Sequence, residues 1–318
     1  MTDQRSVEAF LPLDIVLLVI DHLVAGTNAV ALPPSHPTTR TLLALTRCSR
    51  AVNPTATKHL YRRCLFIDSA WRLSVLNDTL APVEERQDNT RQHMTALYLA
   101  PFQNSINDPR VAYNVLKLFH HLRSVLTRLV VDMPLRSLYP EEDVFQVRHV
   151  LREGFEFLTL IEEFTSTRDE LFISAVSKRD HPPFWTRWPR LRRLALYNAD
   201  LDHDVWCGIA ELSELEVFVA TRPDGVDELS CDFVKSLPRR PRRVLFVDVP
   251  FTWVDRWEGL LTNIAGPYPD MLVCWVEAPL DMDAEDVIGD CQEWTRDRAL
   301  SGAIWAGGTP VPTADAQS

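Results

Sequence analysis

Apolar positions follow two different periods along the chain, and the change between them divides the sequence. In FLPLDIVLLVIDHL (10–23), Leu11, Ile15, Leu18, Val19 and His22 or Leu23 recur at helical spacing, the stripe of an amphipathic helix, with Asp14 and Asp21 interrupting. Pro12 suits the first turn, where its missing N–H is no loss. Asp14 lies where the positive end of the helix dipole favours an anion. Gly26 marks the expected end. AVALPPSHPTTR (29–40), with three prolines, predicts a loop. TLLALTRCSRAV (41–52) carries Leu42, Leu45 and Cys48 at helical spacing up to Pro54, and TATKHLYRR (55–63) predicts a third short helix. Three such helices in about 60 residues hide too little surface to stand alone, so the pattern predicts a module that needs a partner.

Beyond residue 60 the pattern changes to apolar triples spaced L-x-x-L-x-L. They read Tyr61-Cys64-Phe66, Met94-Leu97-Leu99, Leu126-Leu129-Val131, Ile161-Phe164-Ser166, Leu191-Leu194-Leu196 and Leu212-Leu215-Val217. Looser copies follow at Pro241-Val244-Phe246 and Met271-Cys274-Val276. Helical patterns lie between or after them, at 108–122, 140–158, 202–212 and 284–300. Repeats of one short strand and one helix stack so that each covers its neighbour's apolar face. The expected fold class is therefore α/β (α+β). A small three-helix module spans 10–64, with a loop insertion at 27–40, and an irregular repeat domain spans 65–305. Disordered ends are expected at 1–9 and 306–318. A compact α/β domain is the rival architecture. STRDELF (166–172) reads as a strand-to-helix corner.

The N-terminal pattern resembles the F-box. Its usual Leu-Pro, acidic residue and aliphatics ending in Leu read here as Leu11, Pro12, Asp14, Ile15, Val19, Ile20 and Leu23. Its later segment reads Leu42, Leu43, Leu45, Cys48, Ser49 and Arg50. The resemblance covers about residues 10–64; the 27–40 insertion is longer than usual and the customary tryptophan after the second helix is absent. The triples resemble degenerate leucine-rich repeats, best in WPRLRRLALYNADL (188–201), where Ala199 stands at the asparagine position and Asn198 one place early. The layout as a whole resembles proteins frequent in filamentous fungi. The resemblance implies a substrate-recognition subunit of a Skp-cullin-F-box ubiquitin ligase. Leu11, Pro12, Asp14, Ile15, Val19, Leu23, Leu42, Leu45 and Cys48 would bind a Skp-type adaptor, and through it a cullin. An unknown protein substrate would lie on the strand residues facing away from the helices, among them Tyr98, Asp132, Tyr197, Phe218 and Trp275. An interaction scaffold acting outside any ligase is the alternative.

Composition narrows the remaining classes. Hydrophobic residues make up 46% and charged residues 24%, ordinary for a globular chain. A net charge of −11 argues against nucleic-acid binding, which needs cationic surface. IVLLVI (15–20) is too short to span a membrane, and Asp3, Glu8 and Asp14 oppose a secretion signal. Six scattered cysteines suggest neither a zinc site nor disulfides, so the expected compartment is reducing, cytoplasm or nucleus. None of the common phosphate-loop, nucleophile-elbow or zinc-helix motifs occurs. Asp202-His203-Asp204 reads as a helix cap, and DMDAEDVIGD (281–290) as an acidic helix start in which Asp286 replaces the glycine of a calcium loop. RRPRR (239–243) reads as a solvated loop and His120-His121 as boundary residues of a helix. The expectation is a non-catalytic protein without cofactor, metal, small-molecule ligand, nucleic acid or membrane.

Overall fold

The computed structural model describes residues 11–26, 28–81, 89–175, 182–225, 237–247, 271–279 and 285–310. Three helices come first: α1 (Leu13–Val24), α2 (Pro37–Leu45) and α3 (Asn53–Arg63). Pro12 stands at the N-cap of α1, and its carbonyl accepts the Ile15 and Val16 N–H groups at 3.1 and 3.2 Å. The second helix begins earlier than its apolar spacing suggests. Pro37 fits the first turn and the His36 ring accepts the Thr38 N–H at 3.2 Å, so α2 takes the end of the expected loop and stops at Leu45. Ile20, Val24, Leu42, Val52 and Ala56 form the small core between the three helices. Asp21 of α1 meets the buried His59 of α3 at 2.7 Å, which fixes the rotation of α1.

The rest is built on one nine-stranded sheet: β1 (Phe66–Ile67), β2 (Ala96–Leu99), β3 (Arg128–Val131), β4 (Glu163–Ser166), β5 (Arg193–Tyr197), β6 (Val217–Thr221), β7 (Arg243–Val247), β8 (Leu272–Val276) and β9 (Thr309–Pro310). Strands pair strictly in chain order, parallel from β1 to β8, with β9 antiparallel to β8. Residues 309–310, expected in a disordered tail, are thus paired. The connecting helices α4 (Ala70–Leu80), α5 (Pro109–Leu122), α6 (Val147–Glu156) and α7 (His203–Glu211) pack on one sheet face over the main core. Asp202 caps α7, accepting the Val205 N–H at 2.9 Å. Helices α5 and α6 cross closely: a Cβ at Gly154 would lie 3.2 Å from the Leu116 backbone. With α8 (Val287–Ser301), the described residues form a mixed α/β fold of eight helices and nine strands.

Register places Leu97, Leu129, Phe164, Leu194, Phe218, Val244 and Val273 in one row facing the helices. Three triples therefore shift. The first centres on Leu65 instead of Cys64, the sixth on Phe218 instead of Leu215, and the last on Val273 instead of Cys274. The cause is burial on both faces: RCLFI, LEVFVA and MLVCWV are apolar at consecutive positions, so alternation cannot choose the face.

The second sheet face is covered as well. Helix α8 was expected to repeat the strand-helix theme, but it crosses to this side. Ala299, Leu300, Ile304 and Trp305 pack with Val30 and Ala31 against Tyr98, Val130, Ala195, Val219, Leu245 and Cys274. Its buried positions Cys291, Thr295 and Ala299 are small enough to approach the strands. The Val30 N–H donates to the Leu300 carbonyl at 2.7 Å, Leu32 N–H to the Arg63 carbonyl at 2.7 Å, and the Arg128 guanidinium to the Asn28 carbonyl at 2.9 Å. Residues 28–32, part of the long insertion, thereby join the three-helix module to the sheet. No helix among the described residues is long and apolar enough to cross a membrane.

Candidate docking surfaces

Helix α1 is apolar nearly all round, and the fold uses only one of its sides. Val16, Leu17, Ile20 and Val24 seal against α2 and α3. The opposite stripe stays in water: Leu11 is 62% exposed, Ile15 43%, Leu18 53% and Val19 50%. This is the stripe read from the sequence as a docking face. Pro12 and Asp14 are exposed beside it, and Leu23 is half-buried. Leu18, Val19, His22 and Leu23 line a shallow groove. The second cluster divides differently. Leu42 is fully buried in the module's own core, Leu45 packs at its margin, and Cys48 is exposed, its thiol donating to the Ala44 carbonyl. Leu42 therefore holds the module together and offers nothing to a partner.

The strand face expected to receive a substrate is closed. Tyr98, Asp132 and Tyr197 do share that face, but each is buried beneath α8. The Tyr98 hydroxyl donates to Asp132 Oδ2 at 2.9 Å, and Arg168 pairs with Asp132 Oδ1 at 2.9 Å. Burial, and then the Asp132 carboxylate beside it, push the Tyr98 phenol well above its ordinary pKa. The Tyr197 hydroxyl reaches the Ile288 carbonyl on α8 at 3.4 Å. Phe218 and Trp275 fall on the other side. Phe218 is fully buried in the helix-side core, and Trp275, partly exposed, pairs with the core residue Phe246. Both corrections follow from the register shifts in β6 and β8. At the strand starts, Glu163 bridges Arg128 at 3.1 Å and Arg193 at 2.9 Å, a charged row along the same closed face.

Among the described residues, exposed apolar side chains remain at the edge where the parallel strands end. Two loops there, 132–146 after β3 and 167–175 after β4, are tied together from beneath by one residue. Arg148 is fully buried. Its guanidinium donates to the carbonyls of Ser174 at 2.6 Å, Leu135 at 2.9 Å, Leu138 at 2.7 Å and Phe172 at 2.6 Å, and its carbon lies 4.3 Å from the Phe172 ring centroid. Arg136 adds a second tie, pairing with Glu170 at 2.8 Å while its N–H donates to Asp169. Burial raises the Asp169 pKa, against the Arg136 N–H and the neighbouring Arg136 and Arg168 charges. Among the described residues no helix follows STRDELF through 175; the Phe172 and Ser174 carbonyls accept from Arg148 instead. Likewise the helix expected over 140–158 starts only at Val147, where Asp143 accepts the Val147 and Arg148 N–H groups at 2.8 Å and Gln146 turns left-handed at φ 55°.

Nothing in the sequence marked Arg148, since an arginine among helix residues normally reads as solvated. A weak signal existed: it lies four residues before Arg152 within the apolar stripe of Val147, Leu151 and Phe155. Among the described residues, no group of His, Cys, Asp or Glu has the arrangement of a metal site. The five described cysteines are free thiols. Compared with models of known families and with curated proteins, the chain matches none.

Proposed function

We propose that the protein is a non-catalytic adaptor whose F-box-like module, residues 10–64, captures a Skp-type adaptor and through it a cullin. The strand-and-helix domain, 65–305, then presents a protein target, and strand pairing in chain order supports reading it as a leucine-rich-repeat-like domain. The carrying observation is the uncovered stripe of α1. Leu11, Ile15, Leu18 and Val19 are each roughly half in water although the same helix is sealed on its other side. Four such residues on one ridge are the profile of a helix laid in a partner's groove. Covering the exposed half of each is worth about 1 kcal/mol apiece. Catalysis by proximity needs no active site in this chain: holding a target near a charged ubiquitin carrier raises its effective concentration.

The test uses the full chain co-expressed with a Skp-type adaptor. Wild type should co-purify with the adaptor, and Ile15→Asp with Val19→Asp should abolish this while leaving the unfolding transition unchanged. Equal capture by wild type and variant, or none by either, refutes the proposal. Adaptor capture with no cullin in the purified complex would favour a scaffold acting outside a ligase.

A further inference from the structure

The target surface is the open question within that reading, because α8 lies on the strand face. Its two halves hold that face unequally. From Ala299 onward the chain is anchored. Ala299, Leu300, Ile304 and Trp305 pack on apolar strand residues, and the Leu300 carbonyl accepts the Val30 N–H at 2.7 Å. Beyond them the chain runs into β9, paired with β8. Lifting this half would return a continuous apolar layer to water, which burial had removed from it.

The first half is held differently. From Val287 to Glu293 only Cys291 is buried, and it is small; Ile288 is 55% exposed. The Tyr197 hydroxyl reaches the Ile288 carbonyl at 3.4 Å, and Gln292 Nε2 reaches the Arg168 carbonyl at 3.3 Å. Both are longer than such bonds usually are. The layer beside these contacts is polar and satisfied from within. Tyr98 donates to Asp132, and Asp132 pairs with Arg168, each at 2.9 Å. Such groups keep these partners when a helix lifts away and gain water besides, so uncovering them costs little.

We infer that the first half of α8, residues 287–293, is a displaceable cover over a binding site on the strand face, and that the target segment is a helix that takes its place. The chain's own occupant names the chemistry. The incoming helix turns a small side chain to the sheet where Cys291 lies, and the next position carries an amide donor for the Arg168 carbonyl, as Gln292 does. One of its main-chain carbonyls takes the Tyr197 hydroxyl. The second half of α8 stays in place, so the contact with Val30 survives opening. The segment's role as a ligase target rests on the receptor reading; the cover itself does not.

Thiol labelling of the full-length protein gives the first readout. Cys291 and Cys274 are both fully buried free thiols, one in the cover and one on β8 in the anchored layer. With N-ethylmaleimide, and mass spectrometry to read each site, Cys291 should label at least about tenfold faster than Cys274, at a rate that low urea does not change, because it is reached by local opening. Equal rates with equal urea dependence would place both in one unfolding unit and overturn the inference. Peptide binding gives the second readout. A labelled peptide of residues 285–295, stapled as a helix on its exposed side and carrying Cys291→Ala, is titrated by fluorescence anisotropy into wild type and into the Cys291→Lys variant. The new ammonium cannot stay buried and drives the cover off. The variant should keep the wild-type urea midpoint and bind the peptide at least about tenfold more tightly, and a peptide carrying Cys291→Lys should bind neither protein. No gain in the variant, or loss of its unfolding transition, overturns the inference. Skp-type adaptor capture is read on the same preparations. Its absence with the peptide gain intact sinks the ligase reading alone; its presence without the gain sinks this inference alone.

Discussion

Replacing Arg148 by methionine tests the physics of the strand-end edge most directly. Methionine keeps the length of the stem and its packing beside Phe172 but removes every donor. Four carbonyls, of Leu135, Leu138, Phe172 and Ser174, lose a charge-assisted partner at 2.6 to 2.9 Å. A buried polar group left unpaired costs about 1–3 kcal/mol. Four such losses would exceed 4 kcal/mol, but two effects oppose them. The buried guanidinium carries a desolvation penalty of its own, relieved in the variant. The loops also lie at a sheet edge and can open to let water reach the carbonyls, exchanging unsatisfied groups for lost order. The expected net cost is about 3 kcal/mol, a large part of the 5–15 kcal/mol that holds a typical domain together.

Equilibrium urea unfolding gives the total, and amide hydrogen exchange separates its parts. Protection should fall first in residues 132–146 and 167–175, with the β5–β7 strands retaining theirs to the global limit. Arg148→Lys should recover only part of the loss, because an ammonium is a compact point charge and cannot span four carbonyls as a planar fork does. A destabilisation below about 1 kcal/mol would refute the reasoning, since the carbonyls would then be equally content without the cation. So would exchange that accelerates evenly through the domain, because Arg148 would then be a core residue with no special hold on the loops.

Two further outcomes follow from particular contacts. Gly302 ends α8 in the left-handed region at φ 75°, and a Cβ there would lie 2.6 Å from the Asn28 carbonyl oxygen. Gly302→Ala should cost about 1–2 kcal/mol for the backbone alone, with a further loss as residue 28 is displaced. Hydrogen exchange at Val30, whose N–H bonds to the Leu300 carbonyl, should quicken; an unchanged Val30 would mean that 28–32 does not depend on the helix end. Asp169 carries a raised pKa through burial, so its contribution to stability is fully present below the unfolded carboxylate value and is lost as pH rises through the folded one. Asp169→Asn should therefore gain on wild type between about pH 4 and neutrality, the asparagine oxygen still accepting the Arg136 N–H. Parallel urea midpoints for the two proteins across that range would show that Asp169 does not titrate as its burial requires.

Legibility followed the number of faces an element buries. Helices α5 and α7 were readable because one side is apolar and the other wet, and Asp202 announces the start of α7 as Asp108 proves to cap α5. The stripe of α1 was readable from its spacing alone, although that helix is apolar nearly all round and the chain's own core uses the opposite stripe of Val16, Leu17, Ile20 and Val24. The strands were found but not always their register, since LEVFVA and MLVCWV have apolar residues for both faces. That ambiguity moved Phe218 and Trp275 to the wrong side. The placement of α8 was not legible at all. Its sequence has only a faint stripe of Cys291, Thr295 and Ala299, small residues whose value lies in letting a helix approach a sheet already carrying Tyr98 and Tyr197. Covering the strand face is a tertiary choice that local periodicity does not encode.

That choice bears on how a proximity mechanism would work. If the module of α1–α3 hung from the sheet by a flexible connection, the distance between its open stripe and a bound target would fluctuate, and effective concentration would fall as the connection lengthened. The chain does the opposite. The segment between α1 and α2 is the segment that lies on the sheet, with Asn28 held by Arg128 and Val30 by Leu300, while Leu32 bonds back to Arg63 of α3. Helix α8 closes over the strands and supplies one of those contacts, so the cover that closes the strand face also fixes the module against it. The consequence is a defined spacing between the apolar stripe of α1 and the strand-end loops that Arg148 ties together. Loss of the open strand face is then the structural cost of rigidity.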